Sequence, residues 1–368
     1  MMHAAGKKPV AMALGRRGAL EVACAGALAL LLGPACGASG TAAGPSTASG
    51  RSGPPRPRRR SGEGAEVELY SWFDLPSDDP RSRELSGIAW DEASRTLWGV
   101  QDATGRIVPI VPDRDVRRWS LGTPIELRAS FPLDLEGVVV LTDGFIVASE
   151  KGPRILEVDR QGKLRRDLPL PEHFAQARNN KSLESLTMDP SGTYLFTTSE
   201  ASLSCDGEVA TAAVGARLRI ARKDGAYEEH AYTTDPLPHA SGDYGVADLA
   251  AIASDDLLVL ERGWTSGAGN TARVYRVKLT DASTSCLALP SLGAGAPTLA
   301  KELVIDLASL PAKGLPAAKQ PQQTALLDNY EGMAIGPRLA DGRASIVLVS
   351  DDNARSDQVA RILVLALG

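Results

Sequence analysis

Carboxylates recur in this chain in pairs, one opening a short apolar segment and the other closing the segment that follows. The opening positions are Ser86, Glu136, Glu184, Asp248 and Glu331, and the closing ones are Asp102, Glu150, Glu200, Glu261 and Asp351, so nine of the ten are acidic. Carboxylates gathered at one place raise each other's pKa or recruit cations. Oxygen donors from several segments suit a divalent metal, Ca²⁺ above all. A metal there would polarise a phosphoric or carboxylic ester and acidify a bound water. The metal-ligand candidates are Glu136, Glu184, Asp248, Glu331, Asp351 and Asp352. For catalysis they are Glu136, Glu184, Glu331 and Asp351 as ligands or general base, with Lys181, Arg262 and Asn353 orienting the ester. A second source of positive charge is the protein itself. An arginine follows each pair, at Arg106, Arg154, Arg217, Arg273 and Arg361, and each is expected to meet the closing acid across a hairpin as a bidentate pair.

The elements that must position these residues are strands. Each pair belongs to one copy of a repeat of roughly 50 residues, built from short apolar or alternating segments such as SGIAW, LWGV, RIVPIV and IELRASF. Such blades cannot bury both faces alone and stack around an axis, so the expectation is an all-β propeller of five blades. A sixth, degenerate blade within Thr280–Asp328 is the alternative to reading KELVIDL there as the fourth blade's outer strand. The segment EVELYSWFDL at Glu66–Leu75 precedes the first copy, and the last copy stops after three strands. The first segment should therefore close the ring. Strand direction brings each acid pair to one mouth, where the connections Ala201–Ala216, Arg262–Ala272 and Asp352–Ala360 are also long.

Other chemistry finds little support. There is no G-x-S-x-G elbow, and His173, His230 and His239 have no zinc-like spacing. The first 65 residues carry nine Lys or Arg against two Glu, so of the chain's net charge of −5 the rest holds −12. That excludes a nucleic-acid surface. Lys7, Lys8, Arg16 and Arg17 precede the apolar run Val22–Leu32, which is too short to span a membrane. Residues 1–36 read as an export signal and 37–65 as a flexible tether ahead of a domain over 66–368. Cys36 is open to lipidation or to plain signal cleavage, giving a periplasmic, outer-membrane or secreted protein. In an oxidising compartment Cys205 and Cys286 either pair or stay as two loop thiols.

The stretches Asn180–Gly207 (NKSLESLTMDPSGTYLFTTSEASLSCDG), Val259–Val277 and Asn329–Asn353, with ELSGIAWD and DLEGVVV, resemble the phytase-like family of exported bacterial propellers with esterase-like activity. Ser185 and Asp248-Leu249 depart from the family's acid-Gly pattern. The resemblance implies esterase-like activity, and with the acidic pairs the expectation is a monomeric, metal-assisted hydrolase of small phosphoric or carboxylic esters. Its rivals are a non-enzymatic binding propeller of the cell envelope and a calcium-stabilised propeller without substrate.

Overall fold

A computed structural model describes residues 67–102, 104–280 and 285–368; the expected export signal and tether, with Glu66 and Cys36, lie outside them. The described chain holds strands and two short 3-10 turns. Strand β1 (Val67–Asp74) comes first. The first blade follows as β2 (Leu85–Asp91), β3 (Thr96–Gln101), β4 (Arg106–Pro112), β5 (Trp119–Leu121) and β6 (Ile125–Glu126), the last two both pairing with β4. The second is β7 (Leu135–Leu141), β8 (Gly144–Ser149), β9 (Arg154–Asp159) and β10 (Leu164–Leu168). The third is β11 (Thr187–Met188), β12 (Leu195–Thr197), β13 (Arg217–Asp224) and β14 (Ala226–Thr233). The fourth is β15 (Asp243–Ala253), β16 (Asp256–Thr265), β17 (Gly269–Lys278) and β18 (Lys301–Asp306). The fifth is β19 (Tyr330–Ile335), β20 (Ala344–Ser350) and β21 (Arg361–Leu367), completed by β1. The protein is thus a five-bladed β-propeller, and KELVIDL supplies β18 rather than a sixth blade.

The apolar runs are explained by where each face goes. On β16, Leu257 and Val259 pack with Phe196, Leu218 and Ile220 of the third blade, while Leu258 and Leu260 pack with Leu348 and Leu363 of the fifth. On β8, Phe145 and Val147 face Val100 and Ile107 of the first blade, and Ile146 and Ala148 face Leu186 and Leu195 of the third. Period-two side chains therefore feed two cores from one strand, and the hydrophobic interior is a ring of interblade seams. Each blade is held by its neighbours.

One connection differs from expectation. Arg262–Ala272 is not a long loop: β16 and β17 continue through it, pairing Trp264 with Asn270 and Thr265 with Gly269. The connections carrying Cys205 and Cys286 are joined without a disulfide, both cysteines being free thiols. Arg219 joins them instead. Fully buried on β13, it gives two N–H groups to Asp206 (2.7 and 2.8 Å), one to Glu229 (2.7 Å) and two to the carbonyls of Cys286 (3.1 Å) and Leu289 (2.9 Å). All five of its donors are used.

Ring closure rests on β1 lying antiparallel to β21, from Val67 opposite Leu367 to Asp74 opposite Arg361. Arg361 grips Asp74 through Nε at 2.5 Å and Nη2 at 3.0 Å. Removing residues 67–75 would bare the long apolar edge of β21 and strip the seams that Leu69 and Leu75 help fill. The truncated protein is expected to unfold at markedly lower temperature and with lost cooperativity, as followed by circular dichroism; an unchanged transition would show that β1 does not close the ring.

Candidate metal centre at the acidic mouth

One backbone hydrogen bond recurs in four blades and brings each acid pair to the mouth. The N–H of the closing acid donates to the carbonyl two residues before the opening position: Asp102 to Glu84 (3.0 Å), Glu150 to Asp134 (2.8 Å), Glu200 to Ser182 (2.8 Å) and Asp351 to Asn329 (2.9 Å). Just beyond it the inner strand carries a bulge. Leu135 faces Ser149 and Gly137 faces Ala148, which leaves Glu136 unpaired; Tyr330 faces Ser350 and Gly332 faces Val349, which leaves Glu331 unpaired. A bulged residue has its side chain re-aimed.

The fourth blade corrects the expected register by one residue. Val246 faces Glu261 and Asp248 faces Leu260, so Ala247 is the bulged residue, and Arg262, opposite Gly245, takes the closing position. Neither Asp248 nor Glu261 sits at the ring. Glu261 turns into the seam between the third and fourth blades, where it meets Lys301 Nζ (2.7 Å), the Asp235 N–H (3.0 Å) and the Tyr232 hydroxyl. Asp248 occupies the place of a glycine. In the second blade that glycine is Gly137, where a Cβ would come within 2.6 Å of Leu186 N, and Gly87 sits as tightly against the Glu136 carbonyl. At Asp248 the carboxylate fills the gap and accepts the N–H groups of Met333 (2.7 Å), Leu249 (2.8 Å) and Leu186, tying the third and fifth blades to the fourth.

The arginines after each pair also go elsewhere. Gln101 faces Arg106 and Ser149 faces Arg154, so the closing acid is one residue further on and points to the opposite side of the sheet. Arg106, Arg154, Arg273 and Arg361 pair instead with outer-strand acids, Glu126 (2.7 Å), Asp167 (2.8 Å), Asp306 (2.9 Å) and Asp74. The mouth is left to its own charges.

Asp102, Asp134 and Glu136 lie closest, each offering a carboxylate oxygen within 4.8 Å of the others. Ser86 Oγ donates to Glu136 Oε2 at 2.6 Å. Asp134 Oδ2 meets Lys151 Nζ at 2.9 Å, while its Oδ1 is buried without a hydrogen-bond partner. Asp134 is absent from the sequence-derived candidates, although the Asp-x-Glu spacing of Asp134-Leu135-Glu136 is a signal that points to it. On the far side Arg262 Nη2 contacts Glu331 at 2.8 Å and Glu200 at 3.8 Å, and its Nε is buried without a hydrogen-bond partner. Lys181 Nζ lies 3.3 Å from Glu200 and 3.2 Å from Asp243. Asn329 donates to Glu331 Oε1 at 2.9 Å. Asp351 accepts the Asn353 N–H at 2.8 Å, and the Asn353 residue itself is exposed. Asp352 is used structurally: Arg83 Nε holds it at 2.9 Å, and the N–H groups of Glu84 and Ala354 donate to it at 3.1 Å, joining the fifth blade to the start of the first. His173 lies on a 3-10 turn against Glu229, 3.1 Å away.

Burial pushes the carboxyls of Glu136, Glu184 and Asp351 well above the usual range. Repulsion adds to it, from Glu331 at Glu136 and Asp351 and from Glu136 at Glu184. Glu331 is raised by burial too, against the pull of Arg262 and Asn329. Carboxylates of three blades thus sense one another across a single mouth. It is a centre that can hold a cation on its first- and second-blade side, while on its fourth-blade side Arg262 and Lys181 are engaged by Glu331, Glu200 and Asp243.

Fold and site define a β-propeller with a carboxylate mouth able to bind a metal ion. The chain belongs to the phytase-like family, described as having the esterase-like activity of phytase, whose sequence model matches residues 80–354. No curated protein matches it. Among solved structures, it is similar to a luciferin-regenerating enzyme (13% identity, 83% of this chain and 95% of that one, TM-score 0.39). It is also similar to a protein of unknown function from Dyadobacter fermentans (10%, 82% and 99%, TM-score 0.42) and to a chain of the nidogen/laminin complex (13%, 78% and 86%, TM-score 0.39).

Two expectations follow from this geometry. Asp248→Ala leaves buried N–H groups of three blades unpaired and should lower stability by about 3 kcal/mol, measured by urea unfolding; a loss under about 0.5 kcal/mol would remove the bridging role. The raised mouth carboxyls give metal-free protein an inverted pH response. The unfolded chain ionises them first, near pH 4 to 4.5, so stability falls as pH rises from there through the raised folded values. In chelator, the thermal midpoint should be higher at about pH 5 than at about pH 8, and the reverse order would contradict the assigned burial.

Proposed function

We propose that this propeller is a metal-assisted hydrolase of small anionic esters, phosphoric in the first place and carboxylic in the second. The observation that carries the reading is the buried, unpartnered Asp134 Oδ1 within the Asp102, Asp134 and Glu136 group, facing a mouth whose other side holds the unpartnered Nε of Arg262. The donors are all hard oxygens, which fits Ca²⁺ and related divalent ions. Bound there, the metal would supply Lewis acidity toward an ester oxygen and acidify a water. Arg262 and Lys181 hold the anionic end of the ester. Glu184, whose carboxylate burial makes a stronger base, is in its ionised form the general base for the attacking water. Glu331, engaged by Arg262 and Asn329, keeps the guanidinium in place. A cavity of about 890 Å³ lies at the other end of the axis, but there Asp189 and Asp91 cap their own turns and Glu92 accepts from Trp90. The mouth is therefore the better reaction site.

Export by residues 1–36 belongs to the same proposal, with a monomer in the periplasm, on the outer membrane through Cys36, or secreted. One feature favours the rival of a non-enzymatic binding propeller: Arg262 in a ring position already compensates Glu331 and Glu200.

The test is metal-dependent hydrolysis of p-nitrophenyl phosphate and p-nitrophenyl acetate. Added Ca²⁺ should raise the thermal midpoint of the parent, since a ligand of the folded state stabilises by mass action, and Asp134→Asn with Glu136→Gln should abolish that rise. Glu184→Gln should keep the metal response and lose turnover by about 100-fold or more. No turnover in the parent with any divalent metal would favour the binding propeller, and an equal metal response in the double variant would put the ion elsewhere.

A further inference from the structure

The fourth blade rises above the mouth. Past the ring pair of Gly245 with Arg262, its first hairpin runs on through two more pairs, Tyr244 with Gly263 and Asp243 with Trp264. The inner strands of the first, second and fifth blades begin at Leu85, Leu135 and Tyr330, beside the bulge itself. A wall thus stands on one side of the opening.

The face of this wall is set by alternation. Arg262 reaches Glu331 and Glu200, so its side of β16 looks over the mouth, and Trp264, two residues on, shares that side. Asp243, paired with Trp264 across the strands, shares it too and reaches Lys181. The reverse side takes Tyr244 and Val246 into the seam with the third blade. Trp264 is 43% exposed, and among the described residues it is the one aromatic side chain in the exposed class. It is also rigidly carried. Trp264 pairs with Asn270 on its other edge, and Thr265 Oγ1 donates to the Ser241 carbonyl at 3.0 Å. A wet, fixed indole on the strand face that carries Arg262, opposite the Asp243 that reaches Lys181, is a platform for a flat ring bearing an anion, because stacking is strongest for planar π-systems and indole is the best aromatic face.

The geometry points to Trp264 as the residue that selects aryl esters, stacking the aromatic alcohol portion while Arg262 and Lys181 hold the phosphate. This rests on the hydrolase reading above. In the reaction it serves, a water oxygen bonds to phosphorus, the bond from phosphorus to the aryl oxygen breaks, and the phenolate leaves with that electron pair and takes up the proton released by the water.

Binding of two non-hydrolysable probes, phenylphosphonate and methylphosphonate, to the Ca²⁺-loaded full-length protein by calorimetry separates the two readings. The parent should bind phenylphosphonate at least about 5-fold more tightly, one such stack being worth roughly 1 kcal/mol or more. Trp264→Ala should bring the ratio close to one, and Trp264→Phe should restore part of it. With 1-naphthyl phosphate and ethyl phosphate as substrates, Trp264→Ala should raise KM for the naphthyl ester alone and leave kcat within about twofold, as loss of uniform binding does. A parental ratio near one, binding of neither probe, or a ratio unchanged in Trp264→Ala would each overturn the platform. The expected probe ratios without turnover of any ester would keep the aryl-anion site and overturn the hydrolase instead.

Discussion

Each inner strand meets its neighbour with one residue too many at the mouth, and the chemistry of this propeller depends on where that surplus falls. A regular ladder would alternate side chains between the two interblade seams and send none along the axis. The bulge breaks the alternation once per blade, so Glu136 and Glu331 leave the seams while Gly137 and Gly332 return to them. The residue after the bulge must also let two backbones nearly touch. Glycine satisfies this in three blades, and Asp248 satisfies it differently, by offering oxygens to the amides it would otherwise crowd.

Charge at the mouth is sorted by blade. Between the first and second blades Lys151 engages Asp134 through Oδ2 and leaves Oδ1 without a hydrogen-bond partner, whereas Arg262 and Lys181 occupy the edge near the fourth. A fully carboxylate ring would repel itself, and partial protonation of its buried members relieves only some of that repulsion. Putting one arginine into the ring relieves more. It also gives the mouth a direction, which a symmetric ring lacks.

Much of this was readable from the residues alone. Blade number, the single mouth, the closing strand and the role of KELVIDL follow from apolar segments at regular spacing, because seams demand apolar faces wherever blades meet. The register of the fourth blade was not readable. Ala247-Asp248 and Glu261-Arg262 each place an acid beside the ring position, and a bulge, which shifts pairing by one, leaves no trace in spacing. The arginine partners were missed for a related reason: Arg154 sits next to Glu150 in hairpin order but faces Ser149, and a side chain one residue away belongs to the other side of the sheet. Asp134 escaped notice because its position carries no residue type common to the five copies; Glu84, Ser182, Gly245 and Asn329 stand in its place elsewhere.

Closure by β1 has a topological consequence. Val67 lies opposite Leu367, so the chain enters and leaves the ring side by side at the outer rim of the fifth blade. The propeller behaves as a covalent circle with a single nick, bridged by a hydrogen-bonded ladder and the Arg361 to Asp74 clamp rather than by a peptide bond. Whatever precedes residue 67 is thereby attached at the perimeter, on an outermost strand, far from the axis on which the carboxylates converge.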